Sequence, residues 1–555
     1  MPATKHEYDA LNQRIATTRP DGHRVSWLTY GSGHLLALKV DDTELLSYQR
    51  DNLHREIARN QGNGLQQRQA WSPNGQLQEQ AIGKRGDAQR LVVRNYRHDA
   101  AGQLTRIDDT RRGALSYRYD PLGRLLAAQT INGEETFAFD PASNLLDPQA
   151  PRRPNQYGPT KLLDNLLRDY VGTHYSYDER GNLKERLHNG KKSHFTWDLY
   201  DRLIGYADDR LTATFAYDAL GRRLFKLSKA KYYDRREAGP MWNKLERAKL
   251  DEQYGCGYTI YGWDGDVLAF ESRNNDKSER LTHYFFEPGS FVPVAQAVEQ
   301  RSIQLVAEPV YEGAYDIDRD PLWQHKPKPV TFSAVAWYQC DHLGTPMELT
   351  DEQGDIAWTG VYKAWGLAKE QRSETAKRTD IRNPLRFQGQ YFDVETGLHY
   401  NRYRYYDPQV GRFIGKDPIG FAGAFNVYSY APNPVEWVDA LGLSKKMGDT
   451  RCNCSPCPSS PLQVDPRNLR SRQTRAEMSR NRVDKLTSRM RKDGYDESYP
   501  IDVANVDGSL IIIDGHHRAQ AATRARIGQV PVIVHSIDPE TAKKLQNDRD
   551  ESRCQ

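Results

Sequence analysis

One short unit, repeated along the first half of the chain, limits the folds that this sequence can adopt. The unit is an aromatic residue, Asp, a short turn containing Gly, a basic or polar residue and then Leu, and clear copies occupy residues 119–125 and 177–183. The aromatic positions recur every 20 residues at Tyr177, Trp197 and Tyr217. Self-similarity at a fixed spacing indicates a repeat architecture.

Each unit is typical of a β-hairpin. The Asp side chain can start a turn by bonding to backbone amides, Gly allows a positive φ, and the flanking residues alternate as in a half-buried strand. One hairpin cannot bury its apolar face alone, so neighbouring copies must pair side by side. We therefore predict a mainly β fold, with a shell of β-sheet over residues 1–383 and a polar loop over residues 364–382.

The composition supports this prediction once the aromatic residues are counted. Only 37% of residues are hydrophobic and the mean hydropathy is −0.83, values that by themselves favour disorder. The chain has, however, 32 Tyr, 15 Phe and 10 Trp. Aromatic residues at this frequency are typical of strands that have one packed and one wet face.

Residues 384–443 carry a dense series of motifs that ends the repeats. The series contains Gly389-Gln390-Tyr391-Phe392-Asp393, Tyr403-Arg404-Tyr405-Tyr406-Asp407-Pro408, Gly411-Arg412-Phe413, Asp417-Pro418-Ile419-Gly420 and Asp439-Ala440-Leu441-Gly442-Leu443. In this order the motifs resemble the end of the core of Rhs/YD-repeat polymorphic toxins. The resemblance implies that the sheets form a spiralling, hollow cocoon and that the chain is the C-terminal part of an Rhs toxin.

The same resemblance implies that the protein cuts itself. The paired catalytic aspartates of the family fall on Asp417 and Asp439, and the cut falls between Leu443 and Ser444. Two carboxylates that share one proton can supply an acid and a base for activating water, because neighbouring like charges resist ionising together.

The sequence departs from the family pattern at two positions of these motifs. Phe421 and Ala440 stand where the family usually has Leu and Pro. Because both aspartates and the terminal Leu are kept, we expect cleavage to be retained. Apart from the resemblance, Asp-Pro and Asp-Ala would be interpreted as ordinary turn formers.

A linker rich in Cys, Pro and Ser follows at residues 444–464. Cys452, Cys454 and Cys457 lie within six residues of each other. A structural Zn²⁺ site needs four ligands, so Cys554 or a His would have to complete this set. Reduced thiols, or a pair that oxidises outside the cell, are the alternative.

The excess positive charge of the chain lies in its last segment. Residues 1–443 carry 58 basic and 59 acidic residues, whereas residues 444–555 carry 20 and 15. Within 467–492 ten basic residues face only two acidic ones. Such a segment suits a polyanionic partner, although a solvated helix face has the same composition. The candidate nucleic-acid contacts are Arg475, Arg480, Arg482 and Arg489.

Residues 465–555 are predicted to form a small α/β domain. Helical spacing places Val483, Leu486 and Met490 on one face of a helix over 475–493. Strands are predicted over 500–506, 510–513 and 530–535, with a helix over 519–527.

A charged motif lies where the second predicted strand of this domain turns into the following helix. The run Asp514-Gly515-His516-His517-Arg518 and its flanking strands resemble ParB/sulfiredoxin-like domains. Gly515 can let backbone amides approach a phosphate, Arg518 can grip it, and the two His can transfer protons near neutral pH. Sulfiredoxins have a Cys at the position of His516, so sulfinic-acid repair is excluded.

We therefore expect an antibacterial Rhs toxin whose shell encloses and releases a ParB-like nuclease. Two alternatives remain: the effector hydrolyses or transfers groups on free nucleotides, or the chain is a non-enzymatic YD-repeat surface protein with a nucleotide-binding or DNA-binding tail. A nuclease can require a divalent metal, but no cofactor is identified.

The resemblance also implies the partners and the place of action of the toxin. The expected partners are the target nucleic acid, a cognate immunity protein, and a secretion spike or chaperone of the type VI kind bound through a missing N-terminal part. The start of the chain has no apolar signal-peptide region, and no run is long enough to span a membrane. We expect production in the cytoplasm, secretion without a signal peptide, and action in the cytoplasm of the target cell.

Overall fold

The computed structural model divides the chain into two compact units, Met1–Asn453 and Cys454–Gln555. The structure describes residues 4–10, 12–31, 33–147, 165–275, 278–305, 316, 318, 320, 327–447, 462–471, 480–496, 501–506, 509–514 and 516–535. The first unit contains the repeats and the motifs that follow them, as the sequence predicts.

The repeats begin with a 13-stranded antiparallel sheet whose strands are ordered as in the sequence. Its strands are β1 Lys5–Tyr8, β2 Arg14–Thr18, β3 Arg24–Tyr30, β4 His34–Val40, β5 Thr43–Arg50, β6 Glu56–Gln61, β7 Leu65–Trp71, β8 Leu77–Lys84, β9 Arg90–His98, β10 Leu104–Asp109, β11 Gly113–Tyr119, β12 Leu125–Thr130 and β13 Gly133–Thr136.

A second antiparallel sheet of 15 strands continues in the same way. Its strands are β14 Asp169–Tyr170, β15 Thr173–Tyr177, β16 Leu183–His188, β17 Lys191–Trp197, β18 Leu203–Ala207, β19 Leu211–Tyr217, β20 Arg223–Ala230, β21 Gly257–Asp264, β22 Val267–Asn275, β23 Ser278–Phe286, β24 Pro293–Glu299, β25 Ala334–Cys340, β26 Pro346–Thr350, β27 Ile356–Tyr362 and β28 Ala368–Arg372. Helix α1, Pro240–Tyr254, lies between β20 and β21.

The prediction of a polar loop over 364–382 is wrong. Strand β28 pairs with β27, and a short helix α2, Glu374–Arg378, follows it. The Ser373 side chain accepts a hydrogen bond from the Ala376 amide at 3.1 Å and so caps that helix. The segment reads as polar because the side chains of β28 are mostly exposed.

The hairpin prediction is confirmed in atomic detail at the repeated Asp. Asp218 Oδ1 accepts hydrogen bonds from the amides of Leu220 and Arg222 at 2.9 and 2.8 Å, and Arg222 Nε donates to Asp218 Oδ2 at 2.7 Å. Gly221 closes the turn with a φ of +75°. Asp120 and its turn repeat the arrangement.

The aromatic residue of each unit joins neighbouring repeats. The Tyr217 hydroxyl donates to the Leu203 carbonyl at 2.7 Å, and Trp197 Nε1 donates to the Leu183 carbonyl at 2.7 Å. The ring is packed in the sheet while its polar end satisfies a carbonyl of the preceding unit. The repeat therefore favours Tyr and Trp because their polar groups reach the neighbouring hairpin.

Buried ion pairs join the two large sheets of the first unit. Arg94 on β9 pairs with Asp109 on β10 at 3.0 Å and with Glu348 on β26, which also pairs with Arg112. Residues of both sheets also share a hydrophobic cluster that contains Leu38 and Phe285. The sheets thus share one core.

The last part of the first unit is made of short strands. They are β29 Tyr391–Asp393, β30 Leu398–Asn401, β31 Arg404–Asp407 and β32 Arg412–Phe413, in one antiparallel sheet, and the pair β33 Trp437–Val438 and β34 Lys446–Met447. A short 3₁₀ turn spans Gly420–Ala422. These segments position both predicted catalytic aspartates.

The second unit is a five-stranded mixed sheet with two helices, as the sequence predicts. Its strands, β35 Leu462–Val464, β36 Leu469–Arg470, β37 Ile501–Val506, β38 Ser509–Asp514 and β39 Val530–His535, are ordered β35-β39-β37-β38-β36. Its helices are α3 Arg480–Asp493 and α4 His516–Ala525, and a 3₁₀ turn spans Pro466–Asn468.

The boundaries in this unit refine the prediction at one important place. Helix α4 begins at His516, three residues before the predicted start, so the charged motif forms its first turn. Helix α3 ends as predicted, because Gly494 has a φ of +80° and its amide bonds the Met490 carbonyl at 3.0 Å. Within the described ranges, the helices are all too short or too polar to cross a membrane.

Candidate functional site

The structure brings Asp417 and Asp439 together around one arginine. Arg404 Nη2 lies 2.9 Å from Asp417 Oδ2 and 3.2 Å from Asp439 Oδ2. All three side chains are buried, with at most 3% of each exposed. Two carboxylates that are 22 positions apart in the sequence therefore contact the same guanidinium nitrogen.

Strand β31 and its neighbours hold Arg404 in this position. Its Nε donates to the Gly442 carbonyl, its Nη1 donates to the Val427 carbonyl at 2.9 Å, and the guanidinium lies 3.7 Å from the Phe413 ring centroid. A guanidinium with this many partners has one geometry available to it. Arg404 therefore fixes the distance between the two carboxylates.

The electrostatics of the site favour a retained proton on the acid pair. Burial raises the pKa of Asp417 and of Asp439, while the Arg404 charge acts in the opposite direction. Burial also lowers the pKa of Arg404 to about 10. Both carboxyls thus hold a proton to higher pH than an exposed Asp does, as a pair that works by acid and base catalysis requires.

The predicted scissile bond lies against these carboxyls. Asp439 Oδ1 accepts a hydrogen bond from the Leu443 amide at 2.9 Å. A Cβ atom placed on Gly423 would lie 2.4 Å from Asp417 Oδ2 and 2.5 Å from the Leu443 carbonyl oxygen. Gly423 therefore leaves the space in which Asp417 approaches the carbonyl of the bond that the sequence predicts to be cut.

The loop that carries this bond is held from two other sides. Asn401 Nδ2 donates to the Asp439 carbonyl at 2.7 Å. Gly389, with a φ of +78°, touches the loop so closely that an added Cβ would meet the Ala440 carbonyl oxygen at 1.8 Å. The Gly389-containing motif thus serves as a support for the Asp439 loop.

Residues on both sides of the bond also belong to one strand pair. Trp437 pairs with Met447, and Val438 pairs with Lys446. Burial lowers the pKa of Lys445, while the Asp439 charge opposes this change. The segment after the bond is therefore bound to the segment before it by main-chain contacts as well as by the peptide bond.

The motif of the second unit has a more open arrangement. His516 is 6% exposed, whereas His517 and Arg518 are half-buried on the first turn of α4. Burial raises the pKa of Tyr495 to about 12, and the nearby Arg518 charge opposes the rise. The structure therefore separates a buried His from a His and an Arg that solvent can reach.

The basic helix α3 packs one face against α4 and leaves the other exposed. Val483 and Met490 are buried with Ala519 and Ala522 of α4, as the predicted helical face requires. Arg489 is 70% exposed, and its nearest acid, Asp496, lies 3.8 Å away. Arg480 and Arg482 lie on the same helix.

Several predicted site residues cannot be placed in this way. Arg475, Gly515, Cys452, Cys454 and Cys457 lie outside the described residues, and so do the side chains of Arg480, Arg482 and Asp514. Their roles stay predictions.

Arg404 and Gly423 belong to the site but were not predicted from the sequence. Arg404 stands in a run of aromatic residues that favours a strand, and no carboxylate lies near it in the sequence. The only signal was its charge in an otherwise buried strand, because a buried Arg needs an anionic partner.

Three family models match the chain. The Teneurin YD-shell model matches residues 74–235, the RHS protein model matches 335–372, and the ParB N-terminal domain model matches 460–547. The first two fall in the two large sheets, and the third covers the second unit. The matches confirm the fold that the sequence predicts for both parts.

Curated relatives agree with these models. The chain is 37% identical over 455 residues to double-stranded DNA deaminase toxin A of Burkholderia cenocepacia, with 79% of this chain and 28% of the relative covered. It is 34% identical over 485 residues to toxin protein Tse5 of Pseudomonas aeruginosa, with 80% and 34% covered. The chain thus spans about a third or less of the length of these relatives.

A solved structure supports the same fold. The crystal structure of TcdB2-TccC3-Cdc42 matches with a TM-score of 0.53 and 17% identity, and covers 79% of this chain and 21% of that one. At this identity the likeness concerns the fold alone. From its repeats, its family models and its relatives, the chain belongs to the Rhs/YD-repeat polymorphic toxin family and ends in a ParB-like domain.

Proposed function

We propose that this chain is the C-terminal part of an antibacterial toxin whose β-shell encloses an effector and cuts it free between Leu443 and Ser444. The observation that carries the proposal is the contact of Asp417 and Asp439 with one Arg404 nitrogen, beside the bond in question. Relatives named as toxins support the biological role.

The proposed cleavage is a hydrolysis at the Leu443 carbonyl carbon. Protonated Asp417 donates to the carbonyl oxygen, and ionised Asp439 takes a proton from the attacking water. The resulting C–O bond replaces the C–N bond, and the Ser444 nitrogen leaves with a proton as an amine. Arg404 holds the carboxyls at this spacing and favours the ionised member of the pair.

The proposed effector activity is cleavage of nucleic acid by the ParB-like domain. Arg518 and the backbone at the start of α4 would bind a phosphate, and His517, half-exposed on the same turn, would transfer the proton. The exposed basic face of α3 would bind the polyanion. Relatives named probable deoxyribonuclease support a nucleic-acid target.

Hydrolysis or transfer at a free nucleotide is the second candidate. It is favoured by the same helix start, which suits a phosphate without needing a basic helix. A cognate immunity protein and a delivery partner belong to the proposal as well, since a toxin of this kind must be neutralised in the producer and carried to its target.

The full chain produced in a bacterial cytosol tests the effector proposal. We expect growth to stop and the purified protein to degrade DNA or RNA, while His517→Ala, still folded by circular dichroism, does neither. Consumption of ATP or another nucleotide without loss of nucleic acid would instead favour the second candidate. A wild-type chain that is harmless and inert toward all these substrates would refute both.

A further inference from the structure

Away from the cleavage site, four metal-ligating side chains meet between the two large sheets. Asp21 and His23 lie on the turn between β2 and β3, His283 lies on β23, and Glu299 ends β24. All four are buried, and one ligand atom of each lies within 4.8 Å of the others. We propose that these four residues form a structural Zn²⁺ site that links the two sheets.

The spacing of the ligand atoms fits one small ion. Glu299 Oε1 lies 3.0 Å from His23 Nε2 and 3.2 Å from His283 Nε2, and Asp21 Oδ2 lies 3.0 Å from His283 Nε2. In a tetrahedral Zn²⁺ site with ligand bonds of about 2.0–2.1 Å, neighbouring ligand atoms are about 3.3 Å apart. These contacts therefore have the length of tetrahedron edges.

Hydrogen bonds alone leave one of these oxygens unsatisfied. His283 Nε2 hydrogen-bonds Glu299 Oε1, and among the described residues the buried Asp21 Oδ2 accepts no hydrogen bond although His283 Nε2 is 3.0 Å away. A buried carboxylate oxygen without a partner is costly. An ion between Asp21, His283 and Glu299 would remove that cost.

The surroundings of the four residues have the features of a metal site. Asp41 accepts from His23 Nδ1, the nitrogen that would face away from the ion, and Arg301 pairs with Glu299 Oε2. A carboxylate behind a ligating His is the common second layer of such sites. With neutral His, the three carboxylates outnumber Arg19 and Arg301 by one negative charge, which favours a cation.

One contact must change when the ion binds. Arg19 Nη1 lies 2.8 Å from His283 Nδ1, and Arg19 Nη2 donates to the Tyr284 carbonyl at 2.7 Å. Coordination through Nε2 moves the ring proton to Nδ1, so Arg19 Nη1 must turn away. The bond from Nη2 to Tyr284 can keep the side chain in place.

Four protein ligands leave no open position, so the site is structural rather than catalytic. It would join residues that are more than 250 positions apart in the sequence, and a link across so long a loop removes much freedom from the unfolded chain. The first strands of the shell would depend on it most.

Metal analysis of the purified full chain tests the proposal. After incubation with Zn²⁺ and dialysis, we expect one zinc per chain by mass spectrometry. The cysteines need a control, because they could bind zinc themselves: a variant with Cys452, Cys454, Cys457 and Cys554 changed to Ser should keep its zinc. His283→Gln and Asp21→Asn should lose it.

Two further readouts keep the test decisive if a variant folds poorly. A chelator should lower the melting temperature of the wild type, and added Zn²⁺ should restore it. Co²⁺ in the cysteine-free variant should give the visible absorption of four-coordinate cobalt without a thiolate charge-transfer band. No stoichiometric zinc in the wild type, or zinc lost with the cysteines and kept in His283→Gln, would show that the cluster is an ion-pair network.

Discussion

The two candidate sites of this chain differ in how far they are open to solvent. Asp417, Asp439 and Arg404 are almost wholly buried, whereas His517 and Arg518 are half-exposed at the start of a helix. The difference follows from what each site would act on. A bond within the same chain is positioned by folding and needs no entrance, but a phosphate from another molecule does.

Replacing Arg404 by Met would have the largest effect on this contrast. It removes the shared partner of two buried carboxylates, so self-cleavage should be abolished and the free energy of unfolding should fall by about 3–5 kcal/mol. Cleavage is read on a denaturing gel, and stability by denaturant titration.

Arg402→Met is the matched control for that variant. Arg402 is equally buried, but it pairs with Asp266 at 2.7 Å and does not contact either aspartate. It should lose stability and keep cleavage. If both variants lose cleavage together, Arg404 has no specific role.

The pair His517→Ala and His516→Ala sharpens the comparison inside the second unit. His517→Ala should lower nucleic-acid cleavage about 10²–10⁴-fold with an unchanged melting temperature, because it removes a proton carrier from an accessible position. His516→Ala should instead lower the melting temperature, since His516 is buried. The reverse pattern would exchange the two roles.

Gly423→Ala tests how closely the cleavage site is packed. The added Cβ would lie 2.4 Å from Asp417 Oδ2 and 2.5 Å from the Leu443 carbonyl oxygen, so one of them must move. A displacement of this size should slow cleavage about 10²-fold. Gly239→Ala, where a Cβ meets nothing within 4 Å, is the control. Cleavage at the wild-type rate would place the reacting groups elsewhere.

The smallest predicted effect concerns the basic helix. Arg489→Ala should weaken nucleic-acid binding a few-fold and reduce the slope of log affinity against log salt by about 0.9, as expected for one lost phosphate contact. Arg467→Ala, an exposed Arg already paired with Asp465 at 2.8 Å, should change neither. Binding is measured by fluorescence anisotropy over a salt series.

The repeats could be predicted from the sequence because their information is local. Asp218, its turn and Gly221 form contacts within four residues, and Tyr217 reaches only the neighbouring hairpin. Such contacts appear in the sequence as a period. The small α/β domain was predictable for the same reason, apart from the start of α4.

The cleavage site could be predicted only in part. The resemblance named Asp417 and Asp439, but Arg404 and Gly423 approach them through tertiary packing that leaves no spacing in the sequence. The cluster of Asp21, His23, His283 and Glu299 was missed for the same reason, since its members lie on different sheets.

The most direct test of the central claim is the intact mass of the purified full chain and of its Asp417→Asn and Asp439→Asn variants. The wild type should give two masses, residues 1–443 and 444–555, with Ser444 as the first residue of the smaller one. Each variant should give one mass, that of the uncut chain. An uncut wild type, or variants cut at the same bond, would contradict the proposal that these aspartates divide the chain.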